Sequence, residues 1–178
     1  SGEYFRDNLE AGSKIVVLRG IPTTLDNERV EAFQAALEGS DKEILDMQHG
    51  NWNRDDAFNV MQDYLAKYPQ IDAAFFHNDD MALAAYNIMK ARNRTNILIG
   101  GVDAMPPAIQ AVSEGRMFAT VRNPSCRIHG GAIVAGVAAV VGGEKSGQGI
   151  PKNVVTDGPV VTKANAAGMQ WMEDHFLI

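Results

Sequence analysis

The sequence predicts an α/β fold built on a parallel β-sheet covered by helices on both faces, and three observations predict it. Short apolar runs that read as strands recur about every 25–30 residues, with helical periodicity between them. Most runs are closed by glycine, proline or a polar cluster, the punctuation of strand-to-helix turns. The stretch Ile71 to Tyr86 shows the repeating unit plainly: a buried strand (Ala73 to Phe76), a polar turn (His77 to Asp80) and a helix from near Met81. In an open α/β sheet, ligands bind outside the carboxyl ends of the strands. Asn78 is therefore either a ligand donor or a turn residue beside an Asp79 that caps the helix.

The elements follow in order. Ser1 to Leu9 begins as if inside a helix, with Tyr4, Phe5 and Leu9 on one face and no strand before it, so the chain is expected to be a fragment. Lys14 to Leu18 is a β-branched strand closed by Gly20 and Pro22. A helix from Asp26 carries Val30, Phe33 and Leu37 on one face and ends at Gly39. Glu43 to Met47 is the second strand, followed by a loop from His49 to Asn53. Asn53 caps the next helix, with Asp56 three residues on, and Ala57, Met61, Tyr64 and Leu65 face inward until Pro69.

After the third strand and its helix, Asn96 to Asp103 is the fourth strand and Pro106 to Glu114 a helix with proline at its start. Gly115 to Val121 is a fifth strand, and His129 to Val141 a nearly featureless Gly/Ala/Val helix. Gly142 to Pro151 reads as a loop, Val154 to Thr162 as a last strand interrupted at Pro159, and Ala164 to Ile178 as a helix around Met169, Trp171 and Met172.

The 178 residues suffice for one domain with a sizeable core, and 46% hydrophobic and 21% charged residues are ordinary for a globular chain. No apolar run reaches the roughly 18 residues needed to span a bilayer. A net charge of −6 without any lysine or arginine cluster argues against nucleic acid as a partner. One cysteine, Cys126, excludes an internal disulfide framework.

Enzymatic signatures are missing. The histidines at 49, 77, 129 and 175 share no metal-ligand spacing, so neither a metal nor a cofactor is expected. Gly142 to Gly147 (GGEKSG) imitates a phosphate loop but places Glu144 before Lys145 and follows a helix rather than a strand. Asp79 and Asp80 read as carboxylates stabilised by a helix N-terminus rather than as an acid/base or Mg²⁺ pair. The chain is not expected to be an enzyme.

Three motifs, Gly20 to Phe33 (GIPTTLDNERVEAF), His77 to Ala84 (HNDDMALA) and Gly101 to Pro107 (GVDAMPP), give the chain a family resemblance. It resembles the periplasmic sugar-binding proteins of ABC importers, specifically the ribose-binding class, over about Glu3 to Thr162. That class shares its fold, the type I periplasmic binding protein fold, with the effector domains of LacI-type repressors.

The resemblance implies a three-layer, flavodoxin-like lobe with no enzymatic activity. Residues 1–123 and 153–178 would form the carboxyl-terminal lobe. Residues 124–152 would be the hinge-crossing helix and loop that belong to an otherwise absent amino-terminal lobe. The implied function is reversible binding of a monosaccharide or polyol in the periplasm, for delivery to the membrane permease of an importer. The alternatives are a LacI-type effector domain and, from another class, a small flavodoxin-like enzyme or response-regulator-like domain using Asp79, Asp80 and Asp103.

Five positions match ligand contacts of the family. Arg29 offers a fork of donors to adjacent sugar oxygens, against the alternative of a helix-surface arginine. Trp52 takes the place of an aromatic that stacks on a sugar ring, against a hydrophobic staple with only Ala57 as partner. Asn78 supplies donor and acceptor, and Asp103 an acceptor, against a capping role before the Pro106 helix. Asn123 replaces what is often a glutamine and reaches less far; Arg122 and His77 are neighbours that could substitute.

The helix from Cys126 to Val141 has apolar or tiny residues nearly all round, a face that soluble monomers seldom expose. It is expected to repack on this lobe, to self-associate with a second copy, or to mark a lost amino-terminal half. Half a cleft should bind sugar no better than millimolar.

Overall fold

The computed structural model describes residues 1–142, 153–156 and 158–174. Its elements are α1 (Gly2–Asn8), β1 (Lys14–Arg19), α2 (Thr24–Leu37), β2 (Glu43–His49), α3 (Arg54–Lys67), β3 (Ala73–Phe76), α4 (Asp79–Ala91), β4 (Leu98–Asp103), α5 (Pro106–Ser113), β5 (Ala119–Arg122), α6 (Ser125–Val141), β6 (Val160–Val161) and α7 (Ala166–Asp174). The strands form one sheet in the order β2-β1-β3-β4-β5-β6. β1 to β5 are parallel, and β6 adds to β5 antiparallel. The fold is α/β, as the strand spacing predicts.

Alternation along β1 sorts the core into two layers. Val16 and Leu18 face one side, packed with Ala57, Met61 and Tyr64 of α3, Met81 and Ala85 of α4, and Ile109 of α5. Ile15 and Val17 face the other, against Phe5 of α1 and Phe33 and Leu37 of α2. All four of these β1 residues are buried because helices cover both faces, which is why the strand reads as a continuous apolar run.

The second layer is dominated by aromatics. Phe33 stacks on Phe75 with centroids 4.3 Å apart. Phe5, fully buried, meets Phe33, Phe75 and Phe118 edge-on at 5.4, 5.9 and 5.7 Å. The Phe5 ring lies so close to β4 that a Cβ on Gly100 would stand 2.6 Å from it.

Several boundaries differ from the sequence reading for identifiable reasons. α2 starts two residues early because Thr23 is its cap, accepting from the Asp26 amide at 3.3 Å. α4 starts at Asp79 because Asn78, not Asp79, is the cap: its Oδ1 accepts from the Met81 amide at 3.0 Å. The fifth strand begins at Ala119 rather than Gly115, since Gly115 (φ +76°) turns the chain out of α5. The last strand shrinks to Val160–Val161, because Pro159 has no N–H to extend the ladder. Pro159 serves only as acceptor, from the Arg122 amide at 3.0 Å.

Helix α6 does not repack on the lobe. None of its residues is buried, and Ile133, Val134, Val137 and Val140 are 57–82% exposed. The expected loop from 142 to 151, including the phosphate-loop lookalike, and the tail from His175 lie essentially outside the described residues.

Phe5→Ala should cost about 3–5 kcal/mol, because it removes a fully buried ring from an aromatic cluster. Urea unfolding checks this: the midpoint should fall with an unchanged slope.

Candidate functional site

Five consecutive segments leaving the sheet, all at its carboxyl edge, carry the five predicted residues. Arg29 sits in the second turn of α2, Trp52 in the β2–α3 turn, Asn78 after β3, Asp103 at the end of β4 and Asn123 after β5. Arg29, Trp52, Asn78 and Asp103 line one cavity of about 270 Å³ together with Leu25, which the sequence did not suggest. Asn123 stands beside it, with Nδ2 3.5 Å from Asp103 Oδ1.

Arg29 is held by two partners. Its Nη1 donates to the His77 carbonyl, and its Nη2 lies 3.9 Å from Asp103 Oδ1. Burial pushes the Asp103 carboxyl above its ordinary pKa, against the opposing pull of Arg29 and the Asn123 amide. Asn78 is both cap and lining residue. Its oxygen serves the cap, and its two N–H donors make no hydrogen bond among the described residues.

Trp52 is placed by an unusual turn in which Asn51 and Trp52 both have φ near +53°. The Asn53 amide closes the turn on the Gly50 carbonyl at 2.8 Å, and the Asn53 side chain caps α3. The indole rests on the backbone of Gly20, where a Cβ would lie 2.1 Å from Nε1. Gly20 is therefore glycine because Trp52 occupies its side-chain space. Part of the ring also packs on the core.

Two buried carboxylates underlie the cavity, and neither was anticipated as buried. Asp26, fully inaccessible, accepts from Arg19 Nη2 at 2.6 Å, from the Gly20 amide at 2.8 Å, and pairs with His77 Nδ1 at 2.7 Å. Burial alone would raise its pKa, but the Arg19 guanidinium, the Gly20 amide and His77 hold it below the ordinary carboxylate range. His77 is also fully buried, so its side chain is no cavity contact; only its carbonyl reaches the site, through Arg29. Burial pulls its pKa down to about 4, although Asp26 works in the opposite direction. Arg122 is likewise buried in β5 and does not line the cavity.

Asp79 does not cap its own helix with its side chain. The carboxylate crosses to the next turn, accepting from the Met105 amide at 2.8 Å and from the Thr120 hydroxyl at 2.7 Å. Thr120 Oγ1 in turn accepts from the Ala104 amide at 3.2 Å. Gly101 makes the space, since a Cβ there would stand 2.1 Å from Asp79 Oδ1. The turn so held contains Asp103 at φ +114° and Ala104 at φ +54°. Such backbone costs of order 1–3 kcal/mol per residue outside glycine. Burial pushes the Asp79 pKa up to about 7, with Thr120 and the Met105 amide offsetting part of the effect.

Asp80, by contrast, points outward to Arg54 at 2.8 Å. The two aspartates thus diverge, and the described residues contain no cluster of three or more His, Cys, Asp or Glu side chains able to hold a metal. A tight Asp79–Asp80–Asp103 cation site does not form.

This arrangement presents a charged fork, an indole, an amide and a carboxylate around one cavity. A model of the periplasmic binding protein domain matches residues 1–145, and the chain belongs to that family. The chain is 32% identical over 122 residues to the ribose import binding protein of Escherichia coli K12, covering 68% of this chain and 41% of that one. It is 31% identical over 167 residues to a xylitol-binding protein of Mycolicibacterium smegmatis, covering 92% of this chain and 46% of that one.

Among solved structures, a periplasmic solute-binding protein of an ABC transporter from Actinobacillus succinogenes 130z, with bound D-allose, superposes with a TM-score of 0.87 at 25% identity. That match covers 94% of this chain and 59% of the other. The chain spans less than half the length of the curated relatives it matches.

His77 and Asp79 should have opposite effects on stability against pH. Asp79, raised to about 7, stabilises below its ordinary value of 3.8 and loses that contribution as pH climbs toward 7. His77, lowered from 6.5 to about 4, stabilises above 6.5 and loses its contribution as pH falls toward 4. Between about pH 4 and 6.5 each state binds one proton at this pair, so the two slopes cancel. Asp79→Asn should unmask His77: its stability relative to the parent should rise by roughly 1.4 kcal/mol per pH unit across that window. Urea titrations at several pH values measure this, and a pH-independent difference would contradict it.

Proposed function

We propose that the chain binds a monosaccharide or polyol reversibly, without chemistry, through the cavity lined by Arg29, Trp52, Asn78 and Asp103. It would serve as one lobe of a periplasmic solute-binding protein that delivers its ligand to the membrane permease of an ABC importer. The convergence of those four side chains on one cavity carries the reading. Arg29 suits two neighbouring hydroxyl oxygens, Asp103 accepts from hydroxyls, Asn78 donates, and Trp52 offers an aromatic surface to the C–H side of a ring.

The relatives support the ligand class, since they are named for ribose and xylitol, and one is described with allose bound. The repressor-effector alternative draws no support from these relatives, nor does an enzymatic reading.

Hydroxyls that leave water must be matched, because each unmade hydrogen bond costs on the order of 1–3 kcal/mol. One lobe supplies only part of that matching, so an affinity of roughly 1 mM, about −4 kcal/mol, is expected of this chain. NMR titration with D-ribose, D-allose, xylitol and myo-inositol tests it. The Trp52 indole signal should move with the best ligand. The Trp171 signal, from a residue lining a separate cavity between α5 and α7, should not.

Arg29→Ala and Asp103→Ala should each weaken that binding about tenfold, close to 1.4 kcal/mol. Absence of any shift at Trp52 with all four compounds at 100 mM would reject the sugar reading.

A further inference from the structure

We propose that Asp79 and Thr120 are positioning residues for the ligand site: together they clamp the strained Asp103–Ala104 turn so that Asp103 faces the cavity. Neither touches the cavity. The ligand readout below rests on the sugar-binding reading; the clamp itself does not.

Asp103 and Ala104 both carry positive φ, at +114° and +54°, and neither is glycine. Two successive residues hold such backbone only where their surroundings over-determine it. The surroundings here are few and identifiable. The Ala104 amide donates to Thr120 Oγ1 and the Met105 amide to Asp79 Oδ2. The Thr120 hydroxyl hydrogen is committed to Asp79 Oδ1, which fixes the rotor so that its lone pair meets Ala104. One carboxylate therefore sets two successive amides of the turn, one directly and one through the hydroxyl. The Asn123 amide adds a third tie, to the Asp103 carbonyl at 3.2 Å.

The burial of this clamp supports a positioning role. Asp79 and Thr120 are both fully inaccessible, and each Asp79 oxygen is matched by a donor from the turn or from the hydroxyl that serves it. Asp79 is also the residue directly after Asn78, at the first position of α4. The helix whose cap lines the cavity thus reaches across to fix the turn that brings Asp103 to the same cavity. Asn78 and Asp103 are thereby locked to each other through one side chain.

Thr120→Val keeps the shape and removes the hydroxyl; Thr120→Ser keeps the hydroxyl; Asp79→Asn leaves a single acceptor oxygen for two donors, and all comparisons are made at pH 8, above the Asp79 pKa of about 7, where its carboxylate offers both oxygens. Two measurements on the parent chain and these variants decide the matter. The first is affinity for the best-binding member of D-ribose, D-allose, xylitol and myo-inositol, read by NMR titration. Thr120→Val and Asp79→Asn should weaken binding at least fivefold, while Thr120→Ser stays within twofold of the parent. If Thr120→Val and Asp79→Asn bind within twofold of the parent, the positioning role is overturned. A purely structural contribution would lower the melting temperature and leave this affinity pattern unmoved.

The second measurement is hydrogen exchange of the Ala104 and Met105 amides without ligand. Both should be protected in the parent and in Thr120→Ser, and exchange at least tenfold faster in Thr120→Val. Equal exchange overturns the clamp. Should Thr120→Val fail to fold, Asp79→Asn carries both comparisons. A parent that binds none of the four compounds defeats the sugar reading alone, and the exchange result then decides the clamp by itself.

Discussion

The fold depends on how closely helices press on both faces of β4. Two adjacent residues of that strand, Gly100 and Gly101, have no room for a methyl group, and they fail on opposite faces. At Gly100 the obstruction is the Phe5 ring, at Gly101 the Asp79 carboxylate. Since successive residues of a strand point to opposite sides, the pair lets the aromatic layer and the site close in simultaneously. Phe5 ties α1 to the sheet, and Asp79 ties α4 to the turn after β4. A glycine pair that looks like a weak point in a strand is here a contact surface on each side.

The two buried carboxylates follow one design with different electrostatic results. Asp26 and Asp79 both lie in the first turn of a helix that follows a strand, and both accept a backbone amide from a strand-end turn. Asp26 also meets a guanidinium, so its charged form is kept. Asp79 meets only neutral donors, and desolvation dominates. Both carboxylates have partners for their oxygens, as buried polar groups require. Their shared task is geometric: each pins a turn whose residues stand around the cavity, Gly20 beneath Trp52 in one case and Asp103 in the other.

Much of this was legible in the sequence. Strand spacing and turn punctuation predict the parallel sheet, and Ala73–Phe76 is reproduced to the residue because a buried four-residue run bounded by polar groups has one reading. Of the cavity residues, Asn78 stood out by its place past a strand end, whereas Arg29, Trp52 and Asp103 came from the family resemblance. What escaped was orientation. A first-turn aspartate carries the same sequence signature whether it faces solvent, as Asp80 does, or the core, as Asp79 does. One cap was misplaced by one residue: Asn78 caps α4, while the carboxylate of Asp79 behind it turns away to Met105 and Thr120. The last strand was overextended because β-branched residues after Lys152 resemble a strand, while among the described residues Val160 and Val161 are the ones that find a ladder partner.

The site has one wall. Its residues all leave a single sheet edge, so a ring lying on Trp52 would meet Arg29, Asn78 and Asp103 on one side and water on the other. Hydroxyls on the open side keep their hydration, which costs little and gains little. The exposed apolar helix α6 begins at Ser125, two residues past Asn123, whose backbone amide is bonded to Asp103. The exposed apolar surface of α6 and the open side of the cavity therefore lie close together along the chain. A surface that covered the first residues of α6 would approach the open side of the cavity, and hiding the exposed valines and isoleucines would supply free energy beside polar groups that alone would remain hydrated.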